Sequence, residues 1–569
     1  VILYKKLLEL FKGEKQMNEI KTSCASTDQQ ITIWESIDWN KCEAKVKKLQ
    51  ARIVKAQKDG RHNKVKAVQW ILTHSFYAKA LAIKQVTSNK GSDTAGVDGV
   101  TWSTHLSKSK AISDLKRRGY TPQPLKRVHI KKNNGRLRPL GIPTMKDRAM
   151  QALYLLALEP ISETTADKSS FGFRKHRSTK DAISQCFLHL SPDYQCKWIM
   201  EGDIKGCFDH ISHKWLIDNI PMDKTMLKKW LKCGFVFNKQ LFPTEEGTPQ
   251  GGIISPTLAN MTLDGLQGLL AKRFKAINTR KMYYNPKVYL VRYADDFIIT
   301  CENRETLENE IKPMVKEFLA VRGLTLSEEK TKITHIDDGF DFLGFNIRKY
   351  KGNLLITPSK DKVKKFYGKI KEIVERNKSA KQEILIRLLN PVIDGWGNYY
   401  RNCVASETLN KLDHMIVRKL WRWSFRRHPK KGKRWIKQRY FHSVDGNNWI
   451  FGTQLEKENT GQLFSLKRLC NKKIIRHIKI CNDSNPYDPQ WEVYYKKRHT
   501  QQMLEHFNGN RTILRTWENQ MQRCPVCGEP LSDKTTWTLT HKTVNGKKIK
   551  YLTHNKCCKI TDTNKWKLL

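Results

Sequence analysis

Long apolar runs are missing from this sequence. No stretch of about 18 uncharged hydrophobic residues occurs, which argues against a membrane-spanning helix. Negative charge is also scarce: 55 Asp and Glu stand against 105 Lys and Arg, a formal net charge of +50 over 569 residues. Self-repulsion on that scale opposes compaction unless a polyanion offsets it. Nucleic acid is the expected partner, held by phosphate contacts that weaken steeply with salt. The opening VILYKKLLELF (Val1–Phe11) brings charge in too early for a secretory signal. The chain does not begin with Met, which suggests processing, an in-frame exon fusion or trimming. Of 14 cysteines, ten are scattered and read as reduced, buried thiols, while four cluster near the end. A hydrophobic content of 39% is enough for cores, and the length suggests about three to five domains.

Where acids do occur, two sets stand out. KVYLVRYADDFIIT (Lys287–Thr300) places Asp295 and Asp296 between apolar flanks. The β-branched and aromatic content on each side predicts two short strands and a tight turn. Adjacent carboxylates in such surroundings are costly unless a positive group meets them. A hard divalent cation such as Mg2+ is the natural one, a plain surface turn the alternative. KWIMEGDIKGCFD (Lys197–Asp209) adds an apolar strand running into Asp203, after which Gly206 lets the chain turn. Two-metal phosphoryl transfer needs carboxylates that hold ions roughly 3.5–4 Å apart. Asp203, Asp295 and Asp296 would supply them; Asp203 as a helix N-cap is the alternative.

Elsewhere, three- and four-residue apolar spacing predicts helix over Trp34–Val86 and Met145–Leu158, and again over Val363–Glu375 and Glu383–Tyr400. Asn134-Gly135 between basic strands predicts a hairpin. Ser255-Pro256 starts a helix with Leu258, Met261 and Leu269 on its apolar face. The loop Phe171-Gly172-Phe173-Arg174 would either stack on template bases or pack a joint between subdomains. Gly344, in a strand context, suggests close approach to a primer backbone, with a barrel-like bend the alternative. Trp421, Arg422, Trp423, Phe425, Arg426, Arg427 and Trp435 interleave aromatics with cations, a composition that suits RNA or a bundle helix with a snorkelling basic face.

Taken in order, RPLGIPTMKDR (Arg138–Arg148), SFGFR (Ser170–Arg174), the Asp203 strand, GTPQGGIISPTLAN (Gly247–Asn260), YADD, FDFLGF (Phe340–Phe345) and LLNPVIDGWGNYYR (Leu388–Arg401) resemble the successive blocks of group II intron-encoded proteins, which are reverse transcriptases and maturases. The resemblance implies a multidomain α/β chain with right-hand polymerase fingers and palm, an α-helical thumb (the maturase domain) and a small zinc-binding C-terminal module. It implies a flexible lead-in over 1–30, an N-terminal extension over 31–90, fingers and palm over 91–355, thumb over 356–448, a DNA-binding region over 449–515 and an HNH-like endonuclease module over 516–569. Asp203, Asp295 and Asp296 would be catalytic, holding two Mg2+ ions with Ile204 in the metal set. Lys132 and Arg138, with Lys126 beside them, would grip the nucleotide triphosphate. Phe208 would lie under its sugar, unless it is a core residue of the next helix, and Gln250 would sit beside the template–nucleotide pair. The implied partners are intron RNA, target DNA, an RNA template–DNA primer duplex and deoxynucleotide triphosphates, with no membrane. The setting would be a ribonucleoprotein in bacterial cytoplasm or an organelle. A reverse transcriptase of a defence or CRISPR-adaptation system, or a maturase that only assists splicing, is the alternative.

At the end, Cys524-Pro525-Val526-Cys527 has metal-ligand spacing, and His554 and Cys557 would complete a tetrahedral Zn2+ site. The position resembles the family's HNH-type domain but departs from it twice. Thr540 precedes His541 where a His pair would stand, and Cys558 takes the last His position. His541 is left as a candidate general base. The expectation is a zinc-folded module that binds target DNA and cuts it poorly.

Overall fold

The computed structural model describes residues 34–558 apart from 132–134, 136, 193–195, 279–282, 445, 455–462, 508, 533–534 and 545–546. The lead-in expected over 1–30 therefore lies outside the described residues, as does Lys132. Three helices open this part, α1 (Trp39–Lys58), α2 (His62–His74) and α3 (Phe76–Ser88). The Asp38 side chain caps the first by accepting from the Lys41 N–H at 3.0 Å. Their apolar stripes, including Val46, Ile53, Leu72 and Ile83, join one core with α4 (Met145–Thr165). Lys45, Lys47, Lys48 and Lys55 stay exposed on the far side of α1.

A four-stranded sheet follows, ordered β2-β1-β4-β5, from β1 (Leu125–Lys131), β2 (Leu137–Ile142), β4 (Phe235–Phe237) and β5 (Gln240–Phe242). β1 and β2 pair antiparallel from Lys126↔Ile142 to Lys131↔Leu137, and Gly135 between them has φ 80°. The second sheet is antiparallel throughout. It sets β3 (Trp198–Gly202) and β7 (Asp296–Cys301) in the middle, β6 (Tyr289–Tyr293) at one edge and β8 (Lys332–His335) at the other. Ile199, Met200, Ile298 and Ile299 are fully buried in it, which is why both strands read as continuous apolar runs.

One expectation fails between the sheets. The helix starting at Ser255 stops at Leu263, and Gly265 (φ 101°) begins another, Leu266–Arg273. The break resets the helical phase. Leu258 is buried, but Leu269 is 39% exposed instead of sharing its face.

Beyond a three-stranded antiparallel sheet, β9 (Phe340–Phe342), β10 (Phe345–Tyr350) and β11 (Asn353–Pro358), come helices α5 (Lys360–Arg376), α6 (Gln382–Tyr400) and α7 (Ser406–Arg427). Gly344, at φ 85°, lies where an added Cβ would come within 3.1 Å of the Tyr400 hydroxyl. Its close neighbours within the chain are thus Lys362 of α5 and Tyr400 of α6. Tyr399 donates to the Leu343 carbonyl at 2.8 Å and Tyr400 to the Gly344 carbonyl at 3.0 Å.

The chain divides into two compact units, 1–483 and 484–569. In the second, helices Glu492–His506 and Arg511–Asn519 and the hairpin Trp537–Val544/Lys547–His554 enclose Met503, Trp517, Leu531 and Leu552. Among the described residues, no helix is long and apolar enough to cross a membrane. Replacing both Tyr399 and Tyr400 by Phe removes two hydrogen bonds worth about 1 kcal/mol each. The expected result is a lower urea midpoint with the slope of the transition unchanged.

Candidate active site

The register of the second sheet brings the acids together. Gly202 of β3 is the partner of Phe297 in β7, so the next residue on one strand, Asp203, faces the preceding residue on the other, Asp296. Tyr293 pairs with Asp296, which makes Ala294 and Asp295 a two-residue turn. Ala294 has φ 58°, a left-handed conformation that costs a residue with a Cβ about 1–2 kcal/mol.

What holds that turn is a buried polar network. The Arg292 guanidinium, 1% exposed, donates to Asp264, to Asn260 Oδ1 at 3.2 Å and to the Ala294 carbonyl at 3.3 Å. Asn260 in turn donates to the Gly172 carbonyl at 2.8 Å. An added Cβ at Gly172 would lie 2.3 Å from the Ala294 nitrogen. Burial pushes the Asp264 carboxyl up to about 7, while Arg292 pulls it back. Around it, Arg174 and Glu163 form a second buried pair at 2.8 Å. The 170–174 loop is therefore mostly a joint: Phe171 and Arg174 are buried, and Phe173 alone is well exposed, at 56%.

Two of the three carboxylates, Asp295 and Asp296, are raised. Burial raises Asp295, with Asp203 adding to it and Arg138 and Lys330 opposing. Burial, then Asp295 and Asp203, push Asp296 up to about 6. Lys330 Nζ meets Asp203 Oδ2 at 2.7 Å, and that bond raises the lysine. The backbone beside Asp203 is fixed as well: its carbonyl accepts from the Ser327 N–H at 2.8 Å, and Ile204, buried, bridges to Leu326. Acids gathered by register, two of them raised by burial and neighbouring charge, beside a lysine drawn to Asp203, suit hard divalent cations.

Opposite them, Arg138 Nε donates to Gln250 Oε1 at 2.7 Å, and Gln250 Nε2 reaches both carboxylate oxygens of Asp209, at 3.1 and 3.2 Å. The Gly141 N–H donates to the Gln250 carbonyl at 2.7 Å. The structure thus joins Arg138 and Gln250, from segments 112 residues apart, through contacts that spacing does not reveal. Phe208 is half-buried on the short helix Cys207–His210, packed on the core and edge-on to Phe173 at 6.2 Å. Lys126 is exposed on β1. Sequence reading missed Asp209, Lys330, Asp264 and Arg292. Only Arg292 left a signal, a cation inside an otherwise apolar strand.

In the second unit, Cys524, Cys527, His554 and Cys557 bring their ligand atoms within 4.8 Å of one another, the one such group among the described residues. Cys527 Sγ and His554 Nδ1 are 3.4 Å apart, while His554 Nε2 lies 3.3 Å from the Pro530 carbonyl, which orients the ring. A hydrogen bond from Cys527 lowers the Cys524 thiol to about 4. Cys558 turns instead to the Asn555 carbonyl. His541 is exposed on the hairpin opposite Lys550, four residues along the strand from Trp537, the partner of His554.

Gly172→Ala is expected to force the 170–174 loop and the Ala294 turn apart. Primer extension should fall at least tenfold while far-ultraviolet circular dichroism stays near that of the parent.

Residues 130–347 match the reverse transcriptase (RNA-dependent DNA polymerase) family, 34–115 its N-terminal domain, and 363–441 the group II intron maturase-specific domain. Protein YkfC of Escherichia coli (strain K12) is 34% identical over 306 residues, 47% of this chain and 79% of that protein. The group II intron-encoded protein LtrA of Lactococcus lactis subsp. cremoris is 31% identical over 364 residues, 53% of this chain but only 60% of LtrA. A telomerase structure from Candida tropicalis shares 14% identity at a TM-score of 0.31, over 41% of this chain and 54% of that one, too slight a likeness to carry an argument. Three matched domains in one order, wrapped around a YADD turn and its Asp203 partner strand, belong to one lineage: the chain is a member of the group II intron-encoded reverse transcriptase and maturase family.

Proposed function

We propose that the chain extends a DNA primer along an RNA template, grips its own intron RNA and assists splicing, and so supports intron mobility by target-primed reverse transcription. The observation that carries the polymerase reading is the β3–β7 register, which sets Asp203 beside Asp296. Asp203, Asp295 and Asp296, with Ile204 in the set, would hold two Mg2+ ions. When bound, these supply activation of the primer hydroxyl and charge stabilisation on the leaving pyrophosphate. Lys132 and Arg138 take the triphosphate, with Lys126 nearby. Gln250 borders the nascent pair, and the Phe208 ring leaves no room for a 2′-hydroxyl. The maturase-specific match over 363–441 favours an intron role over defence or CRISPR adaptation. The retained acids weigh against a protein that only assists splicing.

Changing Asp295 and Asp296 together to Ala should abolish cDNA synthesis and leave splicing assistance largely intact, because only the chemistry needs the carboxylates. Equal loss of both in a folded variant would overturn this division of labour.

The C-terminal unit we assign as a Zn2+ module that contacts target DNA and cuts it poorly. The four-ligand set supports the zinc, and His541 has no cluster of further ligands around it among the described residues. Cys527→Ser should lower bound zinc, measured by mass spectrometry, from one equivalent towards none. Efficient bottom-strand nicking by the ribonucleoprotein would contradict the poor-cutting assignment. The expected setting is a ribonucleoprotein in bacterial cytoplasm or an organelle.

A further inference from the structure

Helix α7 carries a ladder of cations on its open face. His414, Arg418, Arg422 and Arg426 recur every fourth residue and are all exposed. Each step advances about 6 Å along the helix axis, comparable to the step between neighbouring phosphates of a nucleic-acid strand. Alongside the ladder opens a cavity of about 490 Å³ lined by Asn410, His414, Arg418, Trp421, Trp449 and Arg468 among others. Its far wall is a short antiparallel ribbon, Phe441–Val444 with Asn447–Gln454.

Two features set this cavity apart from a gap in packing. The first is its indoles. Trp421 and Trp449 meet edge to face at 5.4 Å, and Trp449 is 42% exposed. Buried indoles elsewhere in the same unit donate their N–H: Trp423 to the Asn377 carbonyl at 3.0 Å and Trp230 to the Tyr120 hydroxyl at 2.9 Å. Neither Trp421 nor Trp449 has such an acceptor among the described residues. The second feature is charge. Arg418 and Arg422 have no carboxylate partner among the described residues. The one acid in the lining, Asp413, is spent on the backbone N–H groups of Leu469 and Cys470, both at 2.9 Å. That contact also fixes Arg468 at the rim, 3.9 Å from Asp413.

We propose that this cavity receives one unstacked nucleotide of single-stranded RNA. The base stacks on the Trp449 indole, and the flanking phosphates lie on Arg418 and Arg422. The inference rests on the RNA-gripping part of the proposed function and narrows it to a site. Unpaired bases splayed onto aromatic side chains are how proteins read RNA loops and bulges. The maturase-specific match, 363–441, includes the whole ladder and favours RNA over DNA. A fully paired duplex has no base to offer and would use the arginines alone.

The test uses the full-length chain and three fluorescein-labelled probes: a 12-nucleotide single-stranded RNA, the DNA of the same sequence, and the blunt RNA duplex. Trp449→Ala should weaken the single-stranded RNA about tenfold, the loss expected for one stacked base, and leave the duplex within twofold. Trp449→Phe should restore most of the loss. Arg418→Ala, on an open helix face where folding is not at risk, should weaken both RNA probes and flatten the salt dependence. The inference is overturned if Trp449→Ala binds single-stranded RNA like the parent, or loses duplex equally. Equal affinity of the parent for the DNA probe would overturn the choice of RNA. Primer extension by the same preparations reads the polymerase separately. A parent that extends primers while Trp449→Ala has no effect on RNA would refute the cavity and spare the enzyme.

Discussion

The polymerase site rests on one buried ion pair. Arg292 lies in the strand that leads to the Ala294-Asp295 turn and is almost wholly out of water. Such a charge is tolerable only because Asp264, Asn260 and the Ala294 carbonyl meet it. Removing one partner of a buried pair commonly costs about 3–5 kcal/mol, since the other charge is then stranded. Part of what the pair secures is local strain. An alanine at φ 58° would relax if the surrounding groups allowed it. Here the guanidinium grips its carbonyl from one side and the Gly172 backbone leaves no space on the other. The acids are displayed by a turn that has nowhere else to go.

A second constraint is electrostatic and works against stability. Burial and the neighbouring carboxylates make Asp295 and Asp296 harder to ionise, and Lys330, bonded to Asp203, offsets part of that at both. A site built this way stores unfavourable charge that bound cations relieve, so affinity for them is part of the fold's own energetics. The Arg138–Gln250–Asp209 chain is a second polar link near these acids. It ties the first hairpin to the segment following Asp203 through one amide, which has both a donor and an acceptor to give.

Much of this was legible in the sequence because it is local. The strands around Asp295 and Asp296 declare themselves by β-branched runs, the thumb helices by their apolar period, and the Cys/His set by its spacing. The group assembled from Cys524, Cys527, His554 and Cys557 is the one the spacing selects. What stayed hidden is long-range. Asp209 reads as one more polar residue on a short helix, and Lys330 as one of many lysines in a basic chain. Their roles arise from turns and pairings that bring in distant segments, Gln250 from 41 residues away and Asp203 from 127. Leu269 was misplaced for the opposite reason. A helical period was carried through Asp264-Gly265, where a left-handed glycine restarts the count. Asp264 leaves no sequence signal of its pairing with Arg292, 28 residues away.

The joint between α6 and the β9–β10 turn has a different character. Tyr399 and Tyr400 hold the β9–β10 turn by the Leu343 and Gly344 carbonyls and pack on the Phe345 ring, with centroids 5.3 and 5.0 Å away. Main-chain oxygens persist through substitution. Side chains elsewhere on the turn can change without breaking those two bonds, so the joint depends on two aromatic hydroxyls, the Phe345 ring and the left-handed Gly344.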